Sequence, residues 1–282
     1  MKTPRFAAAA SAVLLFLPAL VVNAISQRIP VVTQVQGVVF YRTFLMIGVA
    51  SGSPAVTPRL TLTYRSPVDG TIQSPTVSLP DPIGGGQAQT FEDVIQAFKD
   101  AGAIRSEDMP VGLFGTLEVA ADALTDPSQL SVVARTFSPA TGGGTNGIAY
   151  VGRDTEVAGS SWQLVAFVRN GSFGSDGTTR ANIGFVNEGA TTTDFRITYV
   201  DAATGSKIKD FPLSTAVGHA LAPGEVVQLN NVFGSAGVPA STRLMSVMAA
   251  PITAGRLSGY AVQLDSVTND GSFFLMTEVP GP

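Results

Sequence analysis

Two seven-residue stretches, RLTLTYR at 59–65 and FRITYVD at 195–201, alternate apolar with polar side chains and then run into turn-forming residues. A period of two puts Leu60, Leu62 and Tyr64 on one face and Thr61 and Thr63 on the other, the pattern of a half-buried strand. Phe195, Ile197 and Tyr199 repeat it against Arg196 and Thr198, and Pro67 to Gly70 and Asp201 to Gly205 supply the turns. The likeness extends outward. YRTFLMIGVASGS (41–53) lies over TRANIGFVNEGA (179–190), with Arg42 opposite Arg180 and Gly48 close to Gly184 or Gly189. GQAQTFEDVIQAF (86–98) lies over GEVVQLNNVFGSA (224–236), placing Phe91 on Leu229, Asp93 on Asn231 and Val94 on Val232. LSVVARTFSP (130–139) lies over LSGYAVQLDS (257–266). Four matches in one order imply a duplicated unit, running from about 31 to 140 and again from about 160 to 277.

Few residues stand outside this pattern of strands. Phe91, Val94, Ile95 and Phe98 have helical spacing, with Thr90 and Asp93 as a capping pair and Gly102 as a stop. Leu229, Val232 and Phe233 repeat the first three positions, so each half is expected to carry one short helical turn. SPATGGGTNG (138–147) reads as a connecting loop, Trp162, Leu164, Ala166 and Val168 as the strand opening the second half, and NGSFGSDG (170–177) as a hairpin turn.

The chain opens with Lys2 and Arg5, an apolar run from Phe6 to Val22 and a small residue at Ala24, the three parts of a secretory signal peptide. The run is interrupted by Pro18 and falls short of the roughly 20 apolar residues needed to cross a bilayer, so cleavage after Ala24 and export to the periplasm or outside are expected. Without Lys2 and Arg5 the 17 basic residues become 15 against 21 acidic, a formal charge of −6. That balance speaks against nucleic acid or anionic lipid as the main partner. The chain has no cysteine, so core burial rather than disulfides must stabilise it.

The absence of cysteine also removes the usual zinc and copper ligands, and His219 is the only histidine. It lies in STAVGHALAPGE, a loop bounded by Gly and Pro, and is expected to be solvent exposed. The Gly-rich runs at 84–87 and 142–147 lack the Lys-Ser/Thr of a phosphate loop and read as turns. Asp265, Asn269 and Asp270 offer oxygen ligands for calcium, though their spacing is that of an ordinary hairpin. Glu92 with Asp93, Glu107 with Asp108, and Glu118 with Asp122 are available as carboxylate pairs, but neighbouring residues on one element point apart, and helix starts or solvated loops account for them. Arg42 and Arg180, at matching strand starts, could bind an anion twice over or bond within their own sheets. No catalytic residue, metal ligand or cofactor is assigned on these grounds, and the binding residues are left open.

RANIGFVN, ITYVDAATG, APGEVVQLNNV and GRLSGYAVQLDS resemble the tandem immunoglobulin-like β-sandwich repeats of secreted bacterial proteins of unassigned function. The resemblance covers most of residues 31–277. It implies an all-β chain with a signal peptide at 1–24, a first sandwich at 25–147 and a second at 148–282. The first half has FLMIGVA where the second has NIGFVN, so a role for Asn182 or Asn187 would not be shared by both. The expected function is a non-catalytic surface, matrix or binding module whose partner is a protein or glycan at the cell surface. The alternatives are a secreted glycan-active hydrolase using two carboxylates and a two-domain periplasmic chaperone donating an edge strand.

Overall fold

Alternation along the chain translates into nineteen antiparallel strands in the computed structural model, which describes residues 25–36, 39–110, 112–140, 143–154, 162–169, 179–265 and 271–280. The segment expected to be a signal peptide, the turn at 170–177 and residues 266–270 of the calcium candidate lie outside these. The N-terminal half contains β1 (Ile25–Gln36), β2 (Phe40–Val49), β3 (Arg59–Arg65), β4 (Ile72–Gln73), β5 (Thr76–Ser78) and β6 (Ala88–Phe91). It continues with β7 (Leu113–Ala121), β8 (Leu130–Pro139), β9 (Thr145–Val151) and β10 (Arg153–Asp154). The C-terminal half contains β11 (Trp162–Arg169), β12 (Thr179–Asn187), β13 (Phe195–Asp201), β14 (Lys207–Pro212) and β15 (Val226–Leu229). It ends with β16 (Leu244–Pro251), β17 (Leu257–Asp265), β18 (Gly271–Leu275) and β19 (Thr277–Pro280).

The two halves share one pairing scheme. The order β3-β7-β1-β10, with β4 and β5 on the free side of β3, is matched by β14-β13-β16-β11-β19, and β6-β2-β8-β9 by β15-β12-β17-β18. In the N-terminal half the two layers are joined where the end of β1 pairs with β2. The correspondence extends to single hydrogen bonds. Ser66 N–H donates to Thr71 O and Gly70 N–H to Ser66 O; Asp201 N–H donates to Ser206 O and Gly205 N–H to Asp201 O. Gly70 and Gly205 both sit at φ +72, where a side chain would be strained. Register makes Arg42 equivalent to Arg180, opposite Phe137 and Leu264 respectively. It sets Gly48 against Val186 rather than against Gly184 or Gly189, because Gly48 faces Ser131 and Val186 faces Ser258.

Inward-facing residues form two cores. One contains Leu60, Leu62 and Tyr64 with Leu45, Ile47, Leu117 and Phe98; the other contains Phe195, Ile197 and Tyr199 with Ile183, Phe185 and Ala261. Helix α1 (Val94–Asp100) closes the first, its N-terminus capped by Asp93, which accepts from Ile95 and Gln96 N–H, with Gly102 at φ +67 just beyond its end. A short turn at Val232–Gly234 fills the matching place. One turn per half is an incomplete expectation. A capped turn at Pro127–Gln129 adds to the first half, and helix α2 (Leu213–Val217) adds to the second, held by Ser214 N–H and Oγ on Asp194. The stretch read as a connecting loop is corrected at both ends: residues 138–139 and 145–147 are the facing ends of β8 and β9, paired at Ser138↔Asn146 and Pro139↔Thr145. The boundary expected at 147/148 therefore falls inside β9, and the pairing of the N-terminal half runs on to Asp154.

Candidate functional site

Sheet β15-β12-β17-β18 is apolar on both faces. Ala181, Ile183, Phe185 and Ala261 point into the second core, while Val186, Val226, Tyr260, Val262 and Leu264 join the first. A strand covered on one side only would alternate, whereas β12 and β17 are buried almost without interruption. The covering face is the outside of β3, β7 and β1, which presents Thr63, Arg65, Phe114, Thr116 and Arg28.

Polar contacts fix how these faces meet. Arg65 donates to Glu225 through Nε (2.6 Å) and Nη2 (2.8 Å), the two-point geometry that suits a guanidinium to a carboxylate. Glu225 also accepts from Ala222 N–H at 2.9 Å and lies 2.8 Å from His219 Nε2. Its side chain is 2 % exposed. Burial alone would raise the Glu225 carboxyl, but the hydrogen bonds from Arg65, Ala222 and His219 outweigh it and hold the group below the usual glutamate range. Thr116 Oγ1 donates to Gly224 O at 2.7 Å. Farther along, Arg28 bridges Glu118 of its own half and Glu188 of the other, and Ser258 Oγ donates to Glu188 at 2.6 Å.

Between these anchors the faces part to leave a cleft. One cavity of about 350 Å³ and another of about 500 Å³ meet at Phe114, Gln228 and Asn230. Volumes of this order hold a small ligand or part of a larger one. Val262 and Leu264 of β17 make an apolar floor, Ile148 of β9 lines the cleft from the other half, Tyr41 lies at one end with Arg180 and Asn182, and Arg65 and His219 lie at the other with Glu225. Tyr260 runs beneath. It pairs with Gly184, which pairs in turn with Gln228, and its ring crosses the glycine so that its hydroxyl donates to Gln228 Oε1 at 3.0 Å. A Cβ at Gly184 would stand 2.0 Å from that ring, so glycine is required there. Asn231, the one described non-glycine residue at positive φ (48°), follows Asn230, and its N–H donates to Asn182 Oδ1 at 2.9 Å. Its counterpart Asp93 is extended, so the second half departs from the shared backbone at the rim of the cleft.

His219 is not a free loop residue, as the sequence suggested. The carboxylate it meets, Glu225, stands six positions further on, brought round by the turn at Ala222–Glu225. Arg42 and Arg180 hold equivalent positions in unlike settings: Arg42 lies over the Phe137 ring at 4.9 Å, while Arg180 lines the cleft. Of the two asparagines singled out by sequence, Asn182 lines the cleft, whereas fully buried Asn187 donates to Thr191 O and Leu221 O and shapes its own turn. The carboxylate pairs are dispersed. Asp108 is fully buried and accepts from Arg105, Ser66 and Tyr64, with Arg105 foremost in holding it low; burial and then Asp108 push the Tyr64 hydroxyl up to about 12. Glu118 pairs with Arg28 and Asp122 with Arg59. Glu92 and Asp93 line a separate depression of about 500 Å³ with Asp100 and Phe40. The run at 84–87 is a turn, closed by Gln87 N–H on Gly84 O. Among the described residues no group of three or more His, Asp or Glu could hold a metal ion. No described helix is long and apolar enough to cross a membrane. Sequence reasoning missed Gln228, Asn230 and Glu225 as cleft residues; the first half is equally polar at the matching positions Thr90, Glu92 and Gln87, so no local signal set them apart.

No protein-family model and no curated protein matches this chain. Among solved structures, the crystal structure of Thermotoga maritima 1070 aligns at a TM-score of 0.31 and 16 % identity, over 45 % of this chain and 99 % of that one. The apo form of Pleurotus ostreatus lectin aligns at a TM-score of 0.22 and 8 % identity, over 92 % of this chain and 84 % of that one. At these scores neither carries an argument about fold or function.

Proposed function

We propose that the protein is an exported, non-catalytic binding module made of two tandem immunoglobulin-like β-sandwiches, and that it holds its ligand in the cleft between them. The duplication is supported by the matched strand order and turn hydrogen bonds, with the first sandwich ending at Asp154. The observation that carries the binding site is the cleft itself, whose walls come from both halves. Its one described carboxylate, Glu225, is already committed to Arg65, His219 and the Ala222 N–H, which favours holding over hydrolysis. Export rests on the composition of residues 1–24.

The test is retention of the mature protein on cell envelopes and on immobilised secreted material, wild type against Asn230→Trp. Loss of retention on blocking the cleft is expected; unchanged retention would move binding to the loops. The hydrolase reading has its own place, the depression holding Glu92, Asp93 and Asp100, and predicts reducing-end release that Glu92→Gln abolishes. A chaperone reading would use edge strand β18, where Phe274 is 49 % exposed, and predicts co-purifying polypeptides.

A further inference from the structure

Resting on the cleft as the ligand site, we infer that the ligand is a neutral glycan segment. The amides of the cleft are oriented before any ligand arrives. Gln228 Oε1 accepts from Tyr260, and Gln228 Nε2 donates to Asn230 Oδ1 at 2.7 Å, which leaves Asn230 Nδ2 as a donor with no described partner. Asn182 Oδ1 accepts from Asn231 N–H, which leaves Asn182 Nδ2 in the same position. Two fixed amide donors call for oxygen acceptors on the ligand, and each amide oxygen keeps a lone pair for a ligand hydroxyl. An apolar ligand would leave these groups dry and unpaired.

An anion is disfavoured by the way the charges are arranged. At one end Arg65 turns Nε and Nη2 to Glu225 and Nη1 to Gly70 O, so its charge is balanced by a carboxylate and three of its five N–H donors are in use. At the other end Arg180 is already engaged. A peptide is disfavoured because the floor is the face of a sheet, made of Val262, Leu264 and neighbouring side chains, and a face offers no backbone ladder for an added strand. A sugar ring has C–H groups on its faces and hydroxyls round its rim. It matches an apolar floor fringed by amides, with the Phe114 ring at the junction of the two cavities.

The experiment is isothermal titration of the mature protein with neutral oligosaccharides, uronic-acid oligosaccharides and extended peptides. A neutral oligosaccharide is expected to bind with little dependence on salt, and Asn230→Ala, an exposed position whose loss leaves the fold intact, is expected to weaken it about ten-fold. Preference for a uronic acid that fades with salt, or for a peptide, would overturn the glycan assignment while leaving the cleft as the site, provided that Asn230→Trp abolishes it. Glycan binding untouched by Asn230→Trp would overturn the cleft itself. Failure of every neutral oligosaccharide to bind would overturn the inference.

Discussion

Glu225 and Gln87 occupy one position in two copies of a turn. Gln87 Oε1 accepts from Gly84 N–H at 3.0 Å, Glu225 Oε2 accepts from Ala222 N–H at 2.9 Å, and their backbones bond alike. An amide therefore suffices for the turn, and the negative charge at 225 serves Arg65 and His219. Glu225→Gln should keep the turn yet lower stability in urea by about 1–3 kcal/mol, less than a deeply buried pair because Arg65 is partly open to water. Gln87→Ala, which loses one exposed hydrogen bond, should cost below about 1 kcal/mol in the same titration. Gly184 offers a sharper contrast. Gly184→Ala drives a methyl into the Tyr260 ring, and a loss of about 1–3 kcal/mol in thermal unfolding is expected, with disturbed near-ultraviolet tyrosine dichroism. The partners explain why sequence alone could not show these roles. Arg65 and Glu225 are 160 positions apart, and no local spacing brings them together.

At the level of elements, the contact between the end of β3 and the turn before β15 should respond to acid. The folded Glu225 carboxyl sits below its ordinary value, so its contribution is complete above the unfolded value of about 4.3 and is lost as pH falls through the folded value. The difference in urea midpoint between wild type and Glu225→Gln should accordingly shrink as pH falls below about 4.3. The core-facing side of the alternating strands was legible from the start: Leu60, Leu62 and Tyr64 are all buried, as their alternation requires. The α1 cap at Asp93 was legible because an acidic residue before an apolar helical run has a local job. Helix α2 was not, since LSTAV is short and lacks a side-chain N-cap. The β8–β9 hairpin was hidden by its glycines, whose composition resembles a linker. Double burial of β12 and β17 was readable in the near-continuous apolar runs NIGFV and GYAV, but the covering face, being rich in Thr and Arg, gave no matching sign.

For the whole molecule, the faces that meet are unequal. The N-terminal half offers Thr63, Arg65, Thr116 and Arg28, which water can solvate, beside the rings of Phe114 and Tyr150; the C-terminal half offers the more continuous apolar face of Val186, Val226, Tyr260 and Val262. Residues 25–154 alone should remain monomeric with a cooperative melt, whereas residues 162–282 alone should bind a hydrophobic dye or aggregate, as light scattering would report. The intact chain should unfold in a single calorimetric transition, because opening the contact exposes that apolar face. A ribosome or a translocation channel delivers the chain from its amino end. The half that tolerates solitude thus emerges first and stands ready when β12, β15 and β17 follow, so the direction of biosynthesis coincides with the direction of dependence and the vulnerable sheet spends little time uncovered.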